Sequence, residues 1–345
     1  LFHDAFEKFT LPPKDAKCGV LSLMPTVPCE GKFSRKGIAT IRASRFNQKH
    51  SRKDNMMIKA IGDKAWLGLL IGGLMALSNL QAQEAEPPAE EEKAPEVSIF
   101  PDKNLEDVVR QSVYEKRNTD KPITAEDVVD VSTIKGRGKE IRDLSGLEHC
   151  KSLALLDLAN NQITDISQIA GLKRLQSLDL SNNDISDIGV LETVPALQYI
   201  ELSHNKVKDL RPLAGLKNMS ALYLGYNQIE YIYPILGLPK LASLHLSVNR
   251  ITSIEGIGQL KWLSSLSLDG NQIYDLIPLD GLQNLNFLFL EYNQIQDISP
   301  LISMARSDQE GERRFAPFLK LYLKGNRVRK SQIEKLKEYG VRIQY

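Results

Sequence analysis

Asparagine recurs at Asn161, Asn183, Asn205, Asn227, Asn249, Asn271 and Asn293, every 22 residues, and an eighth, Asn326, follows after 33. Around each stands L-x-x-L-x-L-x-x-N-x-I, as in "LALLDLANNQI" from 153, "LQSLDLSNNDI" from 175 and "LASLHLSVNRI" from 241. Where leucine is replaced, by Ile200, Met219 or Phe318, the residue stays apolar. A strict period of this length makes every repeat the same local unit, and no unit can bury its apolar face alone. The chain must therefore stack its repeats into a solenoid whose core runs along the stack.

Within each repeat the alternating segment reads as a short strand, with successive side chains on opposite faces. The leucines point into the stack, and successive strands pair in parallel. The asparagine falls where the strand turns away and its backbone loses its ladder partners. Its amide offers both a donor and an acceptor, so Asn161, Asn183, Asn205, Asn227, Asn249, Asn271, Asn293 and Asn326 read as a structural ladder. The second half, as in "TDISQIAGLKR", is too short for a full helix and predicts turns or a 3₁₀ segment. The column Asp165, Asp187, Asp209, Asp275 and Asp297 reads as turn capping, one site per repeat, in preference to metal binding. The expected architecture is an α/β solenoid: a leucine-rich repeat horseshoe with a parallel concave β-sheet, a short 3₁₀ or turn convex side and a helical N-terminal cap.

The rest of the chain is organised around this stack. Residues 1–56 carry 11 Lys/Arg against 5 Asp/Glu and read as an upstream extension ahead of the true start, or as a disordered segment. Residues 57–82 have a positive start (Lys59, Lys64), an apolar run from about Ala65 to Leu77, and "LQA" before Gln83, the pattern of a signal peptide. Its apolar run is shorter than the ~20 residues a membrane span needs, so no stable span is expected after cleavage. Residues 83–98 are acidic and Pro-rich, a linker. Residues 99–150 form the expected cap: Leu105, Val108, Val109 and Val113 at helical spacing, then a second helix in "ITAEDVVDV" started by Thr124 and Asp127. Eight repeats occupy 151–328, with an 11-residue insertion in 299–317. There Ser299 caps a helix that begins at Pro300, and "RSDQEGERR" is a solvated convex-side loop. Residues 329–345 form a C-terminal cap, a short helix stopped at Gly340 and a closing strand "VRI".

The unit "LxxLxLxxNxI…DIxPLxGL", with a helical block before it, resembles the internalin-like class of bacterial secreted leucine-rich repeat proteins over about residues 100–345. That resemblance implies a concave face that binds another protein, and an exported location, periplasmic or extracellular. The chain departs from many internalins in lacking an immunoglobulin-like domain and a wall-anchoring tail. The same period also occurs in a cytoplasmic regulatory subunit of a eukaryotic protein phosphatase, a role that would hold if the signal peptide were not used.

The repeat consensus encodes only the scaffold, so function must be sought in the outward strand positions. The first three repeats present Asp157, Asp179 and Glu201 in line, like charges about 5 Å apart that call for a compensating cation. Later repeats, with Tyr199 before them, present Tyr223, Tyr226, His245, Phe287, Phe289, Tyr292 and Tyr322. Core slots on those strands are already taken by leucines, so these aromatics read as contact residues. A partner spanning both zones would bring apolar groups to one end and Lys or Arg to the other. The partner class is a protein of unknown identity, with a glycan of the cell envelope as the alternative.

Nucleic acid is excluded as a partner because residues 83–345 are net acidic. No catalytic site, metal site or cofactor is expected: there is no G-x-S-x-G, H-E-x-x-H, P-loop or dinucleotide fingerprint. Of three cysteines only Cys150 follows the signal peptide, which rules out a disulfide framework.

Overall fold

The structure, a computed structural model, describes residues 97–345. The extension, the signal peptide and nearly all of the linker lie outside the described residues. Among the described residues ten strands form one sheet in chain order: β1 (Thr133–Lys135), β2 (Leu155–Asp157), β3 (Ser177–Asp179), β4 (Tyr199–Glu201), β5 (Ala221–Tyr223), β6 (Ser243–His245), β7 (Ser265–Ser267), β8 (Phe287–Phe289), β9 (Lys320–Tyr322) and β10 (Arg342–Gln344). Every neighbouring pair is parallel, and equivalent repeat positions face one another without slippage. That register follows from the sequence, because a slip of one residue would turn each central leucine outward.

The core is the continuous stack of these leucines and isoleucines. Leu156, Leu178, Ile200, Leu222, Leu244, Leu266, Leu288 and Leu321 at the strand centres are all fully buried. On the other side of the coils from β2 to β7 lies a short 3₁₀ turn, such as Ser167–Ile169, Arg211–Leu213 or Ile277–Leu279, and Pro212 and Pro278 preset the dihedrals of theirs. The aspartate column starts these turns: Asp165, Asp187, Asp209, Asp275 and Asp297 each accept the backbone N–H two residues on, at 2.8–2.9 Å.

Asparagine joins the coils. Asn227 donates to the carbonyls of Leu202 (2.9 Å), Leu224 (3.1 Å) and Gly225 (3.1 Å), and accepts from the Val207 N–H of the preceding coil (2.9 Å). Asn161, Asn183, Asn205, Asn249, Asn271 and Asn293 repeat this arrangement, and Asn326 keeps most of it.

Five sequence expectations change. The strand β1 falls inside the block expected as a helical N-terminal cap, so the sheet begins one coil earlier; Lys139 stands where the first asparagine would be, and its N–H is taken by Asn161 (2.9 Å). Among the described residues one α-helix precedes β1, α1 (Lys103–Arg110), whose Leu105, Val108 and Val109 join the core. It is capped by Asp102, which accepts from the Asn104 and Leu105 N–H groups. The second helix shrinks to one 3₁₀ turn, Glu126–Val128, since the chain must turn into β1 within five residues. Thr124 still donates to Asp127, as a cap would require. The loop joining this block to the stack passes at Gly146 (φ 101°) so close to Phe100 that a Cβ would lie 2.6 Å from its ring.

The insertion forms α2 (Ser299–Glu310), longer than expected, so most of "RSDQEGERR" before Gly311 is helical. Ile298, not Ser299, is the N-cap residue, and it is Asp297 that binds the Ser299 N–H. Asp308 then turns inward and accepts from Arg314 (2.7 Å), Phe315 (3.1 Å) and Ala316 (2.9 Å). Phe318 is the last change: it is exposed, and Phe315 and Leu319 are buried in the core, because the helix delivers the chain to β9 one residue out of phase. A last helix, α3 (Lys330–Lys337), leads through Gly340 (φ 90°) into β10.

Candidate binding face

The outward residues of each strand form straight columns across the sheet. One column runs Leu155, Ser177, Tyr199, Ala221, Ser243, Ser265, Phe287, Lys320; the next runs Asp157, Asp179, Glu201, Tyr223, His245, Ser267, Phe289, Tyr322. Parallel pairing puts neighbours in a column about 4.8 Å apart, so like residues meet.

Two aromatic series result. Tyr199 and Tyr223 meet with ring centroids 5.5 Å apart, and Tyr223 meets His245 at 4.6 Å. Further along, Phe289 stacks on Tyr322 at 4.5 Å, Phe287 lies 6.5 Å from Phe289, and the Lys320 ammonium sits 4.9 Å from the Phe287 ring centre. Strand β7, with Ser265 and Ser267, separates the two. Burial lowers the pKa of His245, against the opposing charge of Asp269, and its Nε2 lies 3.3 Å from the Ser265 hydroxyl. The His245 imidazole completes the first series.

The residue before each asparagine has an unusual backbone. Asn160, Asn182, His204, Tyr226, Val248 and Tyr292 have φ between 51° and 58°, and Gly270 and Gly325 fill the same place at 68° and 78°. Left-handed backbone costs an L-residue roughly 1–2 kcal/mol, so aromatics here are not chosen for ease of folding. Tyr292 uses the next coil's glycine: a Cβ on Gly325 would come within 2.6 Å of its ring. His204 stacks on Tyr226 at 4.1 Å. Asparagine and glycine in four of the eight coils were the sequence signal for this conformation.

The acidic strip is compensated from within. Arg137, on the turn after β1, pairs with both Asp157 and Asp179. This answers the charge problem posed by the sequence for Asp157 and Asp179, while Glu201 has no ion pair among the described residues. Glu201 has its pKa raised by burial, with hydrogen bonding by Ser203 opposing and Asp179 reinforcing. The side chains missed by following two columns stand in a third, two residues beyond the strand: Asp269, Glu291 and Lys324. Asp269 accepts from the Ser247 (2.7 Å) and Ser267 (2.6 Å) hydroxyls. Extending the alternation by one step would have found them.

The most exposed aromatics lie off the sheet. Tyr233 is 81% exposed against 38% for Phe287, and Tyr231, Trp262 and Tyr274 are also open. Among the described residues no group of three or more His, Cys, Asp or Glu could hold a metal, and no helix is long and apolar enough to cross a membrane. Burial pushes the Cys150 thiol up to about 12, which leaves it unreactive.

The family "Leucine Rich repeats (2 copies)" matches residues 151–193, 173–215, 195–237 and 239–281. Among solved structures the chain is similar to internalin C2 from Listeria monocytogenes, with 32% identity, 59% of this chain and 89% of that one covered, and a TM-score of 0.57. It is also similar to the internalin inlF of the same organism, at 24% identity over 72% of this chain and 92% of that one, with a TM-score of 0.41. No curated protein matches the chain significantly.

Proposed function

Since the chain belongs to the internalin-like bacterial leucine-rich repeat proteins, we propose that it is an exported, non-enzymatic module that binds another protein on its concave sheet. The observation that carries this is the aromatic stack on β8 and β9. Phe287, Phe289 and Tyr322 project from strands whose inward slots are filled by Leu288 and Leu321, so the core does not require them. Large aromatics on a rigid surface lose little entropy on contact and dominate interface energetics. Tyr292, held in a costly backbone conformation beside them, fits the same role.

Site-specific photo-crosslinking tests this. Benzoylphenylalanine at Tyr292 or Ser243 should trap a protein from cell-envelope or extracellular extracts, whereas the same group at Tyr233 or Trp262, off the sheet, should not. Adducts from Tyr233 or Trp262 alone would move the site to the other side, and a carbohydrate adduct at Tyr292 would replace the protein partner by a glycan. Export rests on the signal-like residues 57–82, and a mature protein expressed from Met57 should begin at Gln83.

A further inference from the structure

Charges on the concave sheet are not treated alike. Asp157 and Asp179 share the guanidinium of Arg137. Asp269 and Glu291 stand side by side on the turns after β7 and β8, where the Gly270 N–H donates to the Glu291 carbonyl (2.8 Å). The side-chain donors to Asp269 among the described residues are the neutral hydroxyls of Ser247 and Ser267. Among the described residues neither carboxylate has an ion-pair partner within 4.0 Å. Neighbouring positions of a column lie about 4.8 Å apart along the backbone, and two half-buried carboxylates at adjacent positions repel each other more strongly than they would in bulk solvent. The raised pKa of Glu291 reflects this, with burial first, Asp269 second, and Lys324 opposing from a distance.

The surroundings fit a cation with an apolar stem. Phe289 and Tyr292 lie on the same chain segment, on either side of Glu291, and Tyr322 backs Phe289. Beside them, Lys320 lies over Phe287, an ammonium already held on a ring of the same strand. Lysine and arginine can lay their methylenes along such rings while the charged end reaches a carboxylate.

We propose that the concave sheet takes a partner segment carrying a Lys or Arg, with the cation between Asp269 and Glu291 and its stem across Phe289 and Tyr292. This rests on the sheet-face reading above and moves the cation's place from the Asp157 end to the β7–β8 end. An apolar residue of the same segment would lie on the Phe289–Tyr322 stack.

The test uses a phage-displayed library of random 12-residue peptides selected on the full chain. Enriched peptides should carry Lys or Arg within a few residues of an aromatic or aliphatic residue. A synthetic peptide of the strongest sequence should bind at least tenfold more weakly to the Asp269→Asn, Glu291→Gln variant. Its affinity should be unchanged by Glu255→Gln on the opposite side. Asn and Gln keep the hydrogen-bonding capacity, and an unaltered melting temperature confirms that this variant folds. Enrichment of acidic peptides, or of none, overturns the inference. A peptide weakened by Phe289→Ser but indifferent to the paired variant overturns the inference and leaves the sheet-face reading standing. One indifferent to both removes that reading as well.

Discussion

At the scale of the residue, two side chains with the same neighbours in the sequence do different work. Asn227 is buried and makes four hydrogen bonds, of which those with Val207 and Leu202 tie its coil to the one before. Tyr226, next to it, has a left-handed backbone (φ 55°) and its ring lies against His204. Asn227→Ala would leave the Val207 N–H and at least one buried carbonyl without a partner, a cost of roughly 1–3 kcal/mol. The urea midpoint should fall accordingly. Asn326→Ala, at a half-buried position where water can replace the amide, should cost less. Equal losses at both positions would mean that burial does not govern the ladder. The ladder was legible in the sequence because only asparagine offers this donor–acceptor pair at fixed spacing. The left-handed position beside it was legible only in part: Asn160, Asn182, Gly270 and Gly325 favour positive φ, whereas Tyr226, Val248 and Tyr292 do not.

At the scale of the element, periodicity announced what repeats and hid what does not. Strands β2–β9 and their 3₁₀ turns follow directly from L-x-x-L-x-L and the aspartate column. The coil at β1 was hidden because Lys139 replaces the asparagine that marks every later one. The end of α2 was hidden because a charged run, "RSDQEGERR", resembles a loop, whereas Asp308 turns inward and binds three backbone N–H groups. Asp308→Ala would expose this difference. Phe315 and Ala316 are buried, so the loss of their partner should lower stability by about 1–3 kcal/mol and speed hydrogen exchange over 314–316. Binding on the sheet should be untouched, since the loop lies on the other side of the coil. Unchanged exchange would return this segment to the solvated loop that its composition suggested. The acidic strip teaches the same lesson: the carboxylates were visible, but their cation, Arg137, comes from a coil without the repeat's signature.

At the scale of the whole molecule, the stack divides its labour between faces. Leucines inside set stability, asparagines and aspartates join and turn the coils, and the outward columns are left free to carry partner chemistry. Such an arrangement predicts that contact residues can be changed without unfolding the chain, because a solenoid's stability is a sum of repeats and their interfaces. The aromatic stack is the sharpest place to ask, since Phe287 and Phe289 could serve contact or merely brace β8 against β9. The deciding measurement is the Phe287→Ser, Phe289→Ser variant, assayed for thermal unfolding and for affinity toward the protein trapped from Tyr292. Loss of the Phe289–Tyr322 pair should cost only about 0.5–1.5 kcal/mol, while removal of exposed anchors should weaken binding by roughly 2 kcal/mol or more. Binding lost with the melting temperature nearly kept is the predicted result; a large fall in melting temperature with binding retained would contradict it.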